Sequence, residues 1–379
     1  MGMGLYIHIP FCARRCSYCD FCTVEYDGDL VRQYNDLLKK EVEMYPASER
    51  VETLYFGGGS PSLYPVELLR DLMSFISCSF DAAPVEVTIE ANPWELNIKN
   101  LKQWRDIGFN RLSIGIQSSE REILERCDRP VPKNLRDRLM ASRDIFENLN
   151  LDFILGLPGE NESNVAGNLE MISAINPDHV SYYVFDSDHE TKLMRLVHDD
   201  IIDLPRQEIV EGLHDIILDS LSKMGFSRYE ISSWERGRRE CLHNLKYWRN
   251  EQYMGFGVSA GSHFDRKRYV NTSDLLEYRY LVNLRRRPVL ELRANSVIQE
   301  VFETLFMGLR LVEGVDLSKL ELPDELNNTL VSKLRAHLGD YLSPDNSRIR
   351  LNDNGMDFSR SVLEKLIDIK EEMVIAFST

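Results

Sequence analysis

The chain has 379 residues, ordinary apolar and charged fractions and a formal net charge of −16. That length suits one large domain with a smaller one, and the acidity excludes a general nucleic-acid binder, which needs a basic stripe. Seven cysteines, three of them within residues 12–19, fit poorly with a disulfide framework and point to metal in a reducing compartment. The first residues show no cationic segment leading into an apolar one, and no apolar run is long enough to span a bilayer. A cytoplasmic protein with no transmembrane segment is expected.

In chain order, short apolar or β-branched runs at 5–9, 53–56, 86–90, 111–116, 151–155 and 179–184 predict buried parallel strands. Amphipathic patterns at 31–45, 66–77, 101–107, 133–146 and 162–174 predict helices between them. The fold class is therefore α/β: a partial (β/α)6 barrel, with its chemistry at the carboxyl ends of the strands. A further helix is expected at 208–224, an exposed connector at 235–240 and a glycine-rich stretch at 255–261. From about Asn295, helical patterns at 296–309 and 324–337, a short run at 349–351 and a final helix from Asn354 predict a small α+β, winged-helix-like module. The expected organisation is a barrel over 1–232, a connector over 233–294 and a C-terminal module over 295–379. Arg285, Arg286 and Arg287 form a short basic run that reads as a solvated face.

Cys12-Ala-Arg-Arg-Cys16-Ser-Tyr-Cys19 directly follows the first predicted strand. Thiolates suit zinc, copper(I) and iron–sulfur clusters. A structural zinc site wants a fourth ligand, for which Cys22 and His8 are at hand. A [4Fe–4S] cluster held by three cysteines instead leaves one iron open. That iron can chelate the amino and carboxylate groups of S-adenosylmethionine (SAM), and one electron then cleaves the sulfonium bond. The spacing, with the aromatic Tyr18 before the last cysteine, favours the cluster, and Cys22 reads as a free thiol nearby. Gly57, Gly58, Gly59 and Ser60 follow the second strand and let backbone approach a ligand without an intervening Cβ. Glu90 ends the third strand, Gln117 the fourth, and Asp152 lies on the fifth. Acidic and amide groups there suit ribose hydroxyls and an amino group, and the planar fork of Arg129 suits a carboxylate.

The segments Tyr6-Ile-His-Ile-Pro-Phe-Cys12, Gly57-Gly-Gly-Ser-Pro-Ser62, Glu90-Ala-Asn-Pro, Arg111-Leu-Ser-Ile-Gly-Ile-Gln117 and Asp152-Phe-Ile-Leu-Gly-Leu-Pro158 resemble the oxygen-independent coproporphyrinogen III oxidase superfamily of radical SAM proteins. The resemblance covers nearly the whole chain. It implies that Tyr6, Tyr18, Gly58, Gly59, Ser60, Glu90, Gln117, Arg129 and Asp152 contact the cofactor, and that an electron donor serves the cluster. Within the superfamily, three features favour the heme-chaperone (HemW-like) branch over the oxidase. The cluster strand begins at residue 5, without the oxidase's long N-terminal extension. Phe21 stands where the oxidase has a fourth cysteine. His243-Asn-Leu-Lys-Tyr-Trp248 matches a motif associated with heme binding in the chaperones.

If that stretch is helical, His243 and Tyr247 share one face. Two readings stay open. His243, or Cys241, ligates heme iron beside aromatic rings; or the helix packs its aromatics into a domain interface with His243 hydrogen-bonded inside. The resemblance implies a chaperone that binds one [4Fe–4S] cluster, SAM and heme and passes heme to an acceptor protein. The alternative is SAM-dependent oxidative decarboxylation of coproporphyrinogen III in porphyrin biosynthesis.

Overall fold

The apolar runs become strands because both faces of each are covered. β1 (Met3–Ile9) buries every side chain except that of Tyr6, which is partly covered. It is followed by β2 (Arg50–Gly58), β3 (Asp81–Ala91), β4 (Arg111–Gln117), β5 (Asn148–Leu155) and β6 (His179–Val184). These six pair in chain order, all parallel. The helices Gly28–Val42, Val66–Ser79, Ile98–Ile107, Leu135–Ile145 and Glu162–Ile175 connect them, as parallel pairing requires. Local sequence sets their ends. In Ile98–Ile107 the Asn97 side chain accepts from the Asn100 amide at 2.9 Å, Leu101 and Trp104 are buried, and Gly108 stops the helix at φ 119°. The computed structural model describes residues 2–45, 50–345, 347–357 and 359–377.

The sheet continues past the sixth strand. It adds β7 (Ser227–Glu230), β8 (Ser233–Glu235), β9 (Tyr253–Phe256), β10 (Gly261–Phe264), β11 (Lys267–Asn271) and β12 (Val289–Ala294). The order across the sheet is β12-β11-β10-β9-β1-β2-β3-β4-β5-β6-β8-β7. β9 lies parallel to β1, a seventh parallel strand that periodicity did not reveal. Residues 233–294, expected as a connector, thus supply five strands of the barrel's own sheet. They also supply the helix Leu242–Trp248, which crosses the amino ends of β1 and β2: Lys246 Nζ donates to the Gly2 carbonyl and to Glu52, both at 2.7 Å.

The C-terminal part has a separate core in which Phe302, Leu305, Leu330, Leu334 and Leu366 are buried together. Its helices are Val297–Gly308, Asp324–Leu338 and Ser359–Phe377. Val315–Asp316 pairs antiparallel with Arg348–Ile349, and a single bridge joins Leu342 to Leu351. The strand pairing is therefore split by a helix, with the run expected at 349–351 pairing back to Val315–Asp316. Among the described residues, no helix is long and apolar enough to cross a membrane.

Candidate functional site

The carboxyl ends of the strands surround a cavity of about 450 Å³. Phe11, fully buried against Tyr34 and Tyr64, anchors the start of the cysteine loop. Cys12, Cys16 and Cys19 all line the cavity. The Cys12 sulfur lies 3.6 Å from Ser60 Oγ, and Arg129 Nη1 donates to the Cys16 sulfur at 3.3 Å. Burial pushes the Cys12 thiol up to about 11 and raises Cys19 as well. The free Cys12 and Cys19 thiols therefore hold their protons, and a metal must displace them on binding. Cys22 is turned away and donates to the Ser273 carbonyl at 3.4 Å. Three convergent thiols beside a buried guanidinium are a donor set that fits an iron–sulfur cluster with one iron left open.

Tyr18, Gly58, Gly59, Glu90, Gln117, Arg129 and Asp152 line the same cavity as the cysteines. They come from the cysteine loop and from the ends of successive strands and the turns that follow, so the parallel register brings them together. Ser60 and Tyr6 stand behind the wall. Ser60 is 2% exposed and accepts from Asn92 Nδ2 at 2.6 Å, so its hydroxyl serves Cys12 and Asn92. Tyr6 lies under Gly57, with its hydroxyl 3.1 Å from His8 Nδ1. The glycines are steric requirements: a Cβ on Gly57 would sit 2.9 Å from the Tyr55 ring, and one on Gly59 2.7 Å from Pro10 backbone. Gln117 takes φ 69°, a left-handed conformation that a side-chain-bearing residue adopts only where its surroundings enforce it.

The cavity is charged by design of its surroundings. Glu90 accepts from Tyr55 Oη at 2.7 Å and from the Gly58 amide at 3.1 Å. Burial still pushes its carboxyl up to about 7, with the Asp152 charge adding to the shift. Asp152 accepts from Ser113 Oγ at 2.8 Å and Asn150 Nδ2 at 2.7 Å, and burial raises it too. Two buried carboxyls, both raised by desolvation, favour a ligand that brings positive charge. Arg129 is 6% exposed, donates to Asn92 Oδ1 at 2.9 Å and to the Gly115 carbonyl, and stacks 4.9 Å from the Trp94 ring. Its fork is largely spent on the protein, so it offers a ligand a fixed positive charge more than a free bidentate clamp. Tyr55, Asn92 and Trp94 also line the cavity and were not singled out by sequence. The alternation of β2, which puts Tyr55 on the same side as Gly57, is the signal that points to the first.

The opposite end of the barrel is closed. The carboxylate of Glu86 accepts from the backbone amides of Leu242 at 3.1 Å and His243 at 2.9 Å, holding the start of the helix. His243 is 1% exposed. Its Nδ1 lies 2.8 Å from Thr53 Oγ1 and its Nε2 2.7 Å from Tyr247 Oη. Its ring stacks on Tyr55 at 5.1 Å and 25°. Burial, with help from Lys246 and Arg111, lowers it to about 3, so it is neutral. Both nitrogens are engaged, and in this conformation neither can reach a heme iron. Cys241 is equally enclosed, fully buried with its sulfur 3.7 Å from Glu86. Of the two readings left open by sequence, the hydrogen-bonded histidine inside is the one the geometry matches.

The sequence profile of the Radical SAM superfamily matches residues 6–172, and that of the HemN C-terminal domain matches 295–358. "Heme chaperone HemW" of Bacillus subtilis is 32% identical over 317 residues, covering 82% of this chain and 84% of the relative. "Heme chaperone HemW" of Lactococcus lactis is 29% identical, covering 96% of each. The solved structure of coproporphyrinogen III oxidase (HemN) from Escherichia coli superposes with TM-score 0.83 at 23% identity, covering 96% of this chain and 90% of that one. At that identity the likeness shows the fold alone.

Proposed function

The chain belongs to the HemW family within the radical SAM superfamily, and from this premise we propose that it is a heme chaperone. It holds one [4Fe–4S] cluster through Cys12, Cys16 and Cys19, binds SAM in the cavity those thiols line, and passes heme to an acceptor protein. When bound, the cluster supplies an open iron for the amino acid part of SAM and a one-electron couple. The chain's residues supply the rest. Glu90 and Asp152 offer carboxylates to a cationic ligand, Arg129 fixes positive charge beside Cys16, and Gly58 and Gly59 let backbone approach. Gln117 presents an amide from a strained backbone position. Tyr18 closes the wall beside Cys16, and Tyr6 and Ser60 support the shell from behind. Heme handling is carried over from the relatives' names.

The observation that carries the cofactor half is the convergence of three cysteines, Glu90, Gln117, Arg129 and Asp152 on one cavity. The test is anaerobic reconstitution, followed by iron, sulfide and heme stoichiometry on one sample. Iron and sulfide near four per chain, with one bound heme that moves to an apo-hemoprotein, is the expected result. Conversion of coproporphyrinogen III with SAM and a reductant would replace the chaperone reading with the oxidase. A second consequence concerns coupling. Cluster and heme in one chain imply that SAM or the cluster's redox state gates heme release. Unchanged heme transfer from a variant lacking all three cysteines would remove that gate.

A further inference from the structure

The motif from His243 to Trp248 has no route to a heme in this fold, yet it is tied to the cavity at the other end of the barrel. We propose that His243 is a positioning residue for the SAM site: through Tyr55 it fixes the carboxylate of Glu90. The inference rests on the reading that SAM occupies the cavity.

The connection is built from one strand's periodicity. Thr53, Tyr55 and Gly57 alternate along β2 and so share its inner face. Thr53 takes one nitrogen of His243 at 2.8 Å. Tyr55 lies face to face on the imidazole at 5.1 Å, and Tyr6 stacks on Tyr55 at 6.1 Å. Both rings pack against Tyr55, whose hydroxyl donates to Glu90 Oε1 at 2.7 Å. Gly57 removes the side chain that would block this path, since a Cβ there would be 3.1 Å from Glu90 Oε2. The imidazole is immobilised in turn. Tyr247, one turn along the same helix, holds its other nitrogen at 2.7 Å. Gly4 makes room for the ring, because a Cβ there would lie 3.0 Å from it. Finally Glu86 on β3, the strand that also carries Glu90, ties down the helix's first amides. His243 of the helix, Tyr55 of β2 and Glu90 of β3 thus carry a constraint from the barrel's plugged end to its open one.

A stacked, doubly hydrogen-bonded ring is suited to this role for a physical reason. It transmits position through packing and through two directional bonds at once, and burial keeps it neutral so that no charge competes with Glu90. A histidine kept for iron would need one nitrogen open.

The experiment uses the full chain with its cluster reconstituted. SAM affinity and ferric-heme affinity are measured on His243→Ala, Tyr55→Phe and the double variant. His243→Ala and Tyr55→Phe are each expected to weaken SAM by about tenfold, the scale of one lost hydrogen bond with its orientation. The double variant should be no weaker than about the worse single one, because both changes cut the same connection. Heme affinity should stay within about twofold of the parent. Loss of heme binding with SAM affinity unchanged in His243→Ala would overturn the inference and make the residue an iron ligand. Strict additivity in the double variant would overturn it as well. If His243→Ala does not fold, Tyr247→Phe, which frees one imidazole nitrogen at constant shape, should weaken SAM in the same direction; no change would count against the inference. A parent protein that takes up its cluster but no SAM would instead bring down the functional reading on which this rests.

Discussion

The two ends of the barrel use the same residue types for opposite purposes. At the carboxyl end, cysteines, an arginine and carboxylates converge on open space. At the amino end, Cys241, His243, Glu86 and Tyr247 converge on one another, and the polar contacts of His243 are closed within the protein. The difference follows from topology. A parallel strand hands its chain to a loop at the carboxyl end, where loops can part around a ligand. At the amino end, the helix Leu242–Trp248 lies across the strand starts and stops the opening. A histidine or cysteine is therefore informative about chemistry only once the end of the barrel it faces is known.

Four experiments test this contrast, the largest effect first. Cys16→Ala removes one of the three thiols proposed to hold the cluster, and iron and sulfide analysis should then find essentially no intact cluster. A cysteine of the closed end makes the comparison: Cys241→Ala should leave iron content at the parent level. Second, Arg129→Lys keeps the charge but cannot reproduce donation to Cys16, Asn92 and the Gly115 carbonyl together. SAM affinity, read by calorimetry, should fall on the order of 100-fold. Third, Gly4→Ala crowds the His243 ring and should cost about 1–3 kcal/mol in chemical denaturation.

The fourth experiment separates the ends by pH. Glu90 ionises near 7 in the fold against an ordinary 4.5. Its burial therefore costs nothing below about 4.5, costs progressively more up to 7, and reaches its full penalty above. In the protein without SAM, Glu90→Gln should raise the melting temperature at pH 8 and leave it unchanged at pH 4. His243 behaves oppositely: its folded value is about 3 against 6.5, so the stability it carries is present above 6.5 and is lost as pH falls toward 3. His243→Gln should flatten that acid-side loss. A melting curve with the two variants' pH windows exchanged would show that the ends have been assigned the wrong way round.

Much of this was legible before any coordinates. Cys12, Cys16 and Cys19 are local, since three thiols in eight positions constrain one another through the chain itself. The six strands were visible because buried parallel strands are continuous apolar runs. β9 was not, because Tyr253–Phe256 sits in a glycine-rich stretch whose strand character comes from pairing with β1. The helix Asp324–Leu338 between the paired strands of the C-terminal part was visible, whereas the pairing across it was not.

The sequence by itself pointed to the cofactor class and predicted the six parallel strands from Met3–Ile9 to His179–Val184. These rest on short-range spacing and on period-two and helical patterns, which survive without knowledge of the fold. Tertiary structure alone decided what His243 does. Its partners Thr53 and Tyr55 lie about 190 positions earlier in the chain, and nothing in the motif from His243 to Trp248 records which of its side chains would be sealed against them. Burial and hydrogen-bond satisfaction are properties of the assembled neighbours, so a histidine that the sequence leaves open between iron ligand and internal hydrogen-bonding residue is, in the fold, buried against Tyr55 with both ring nitrogens engaged.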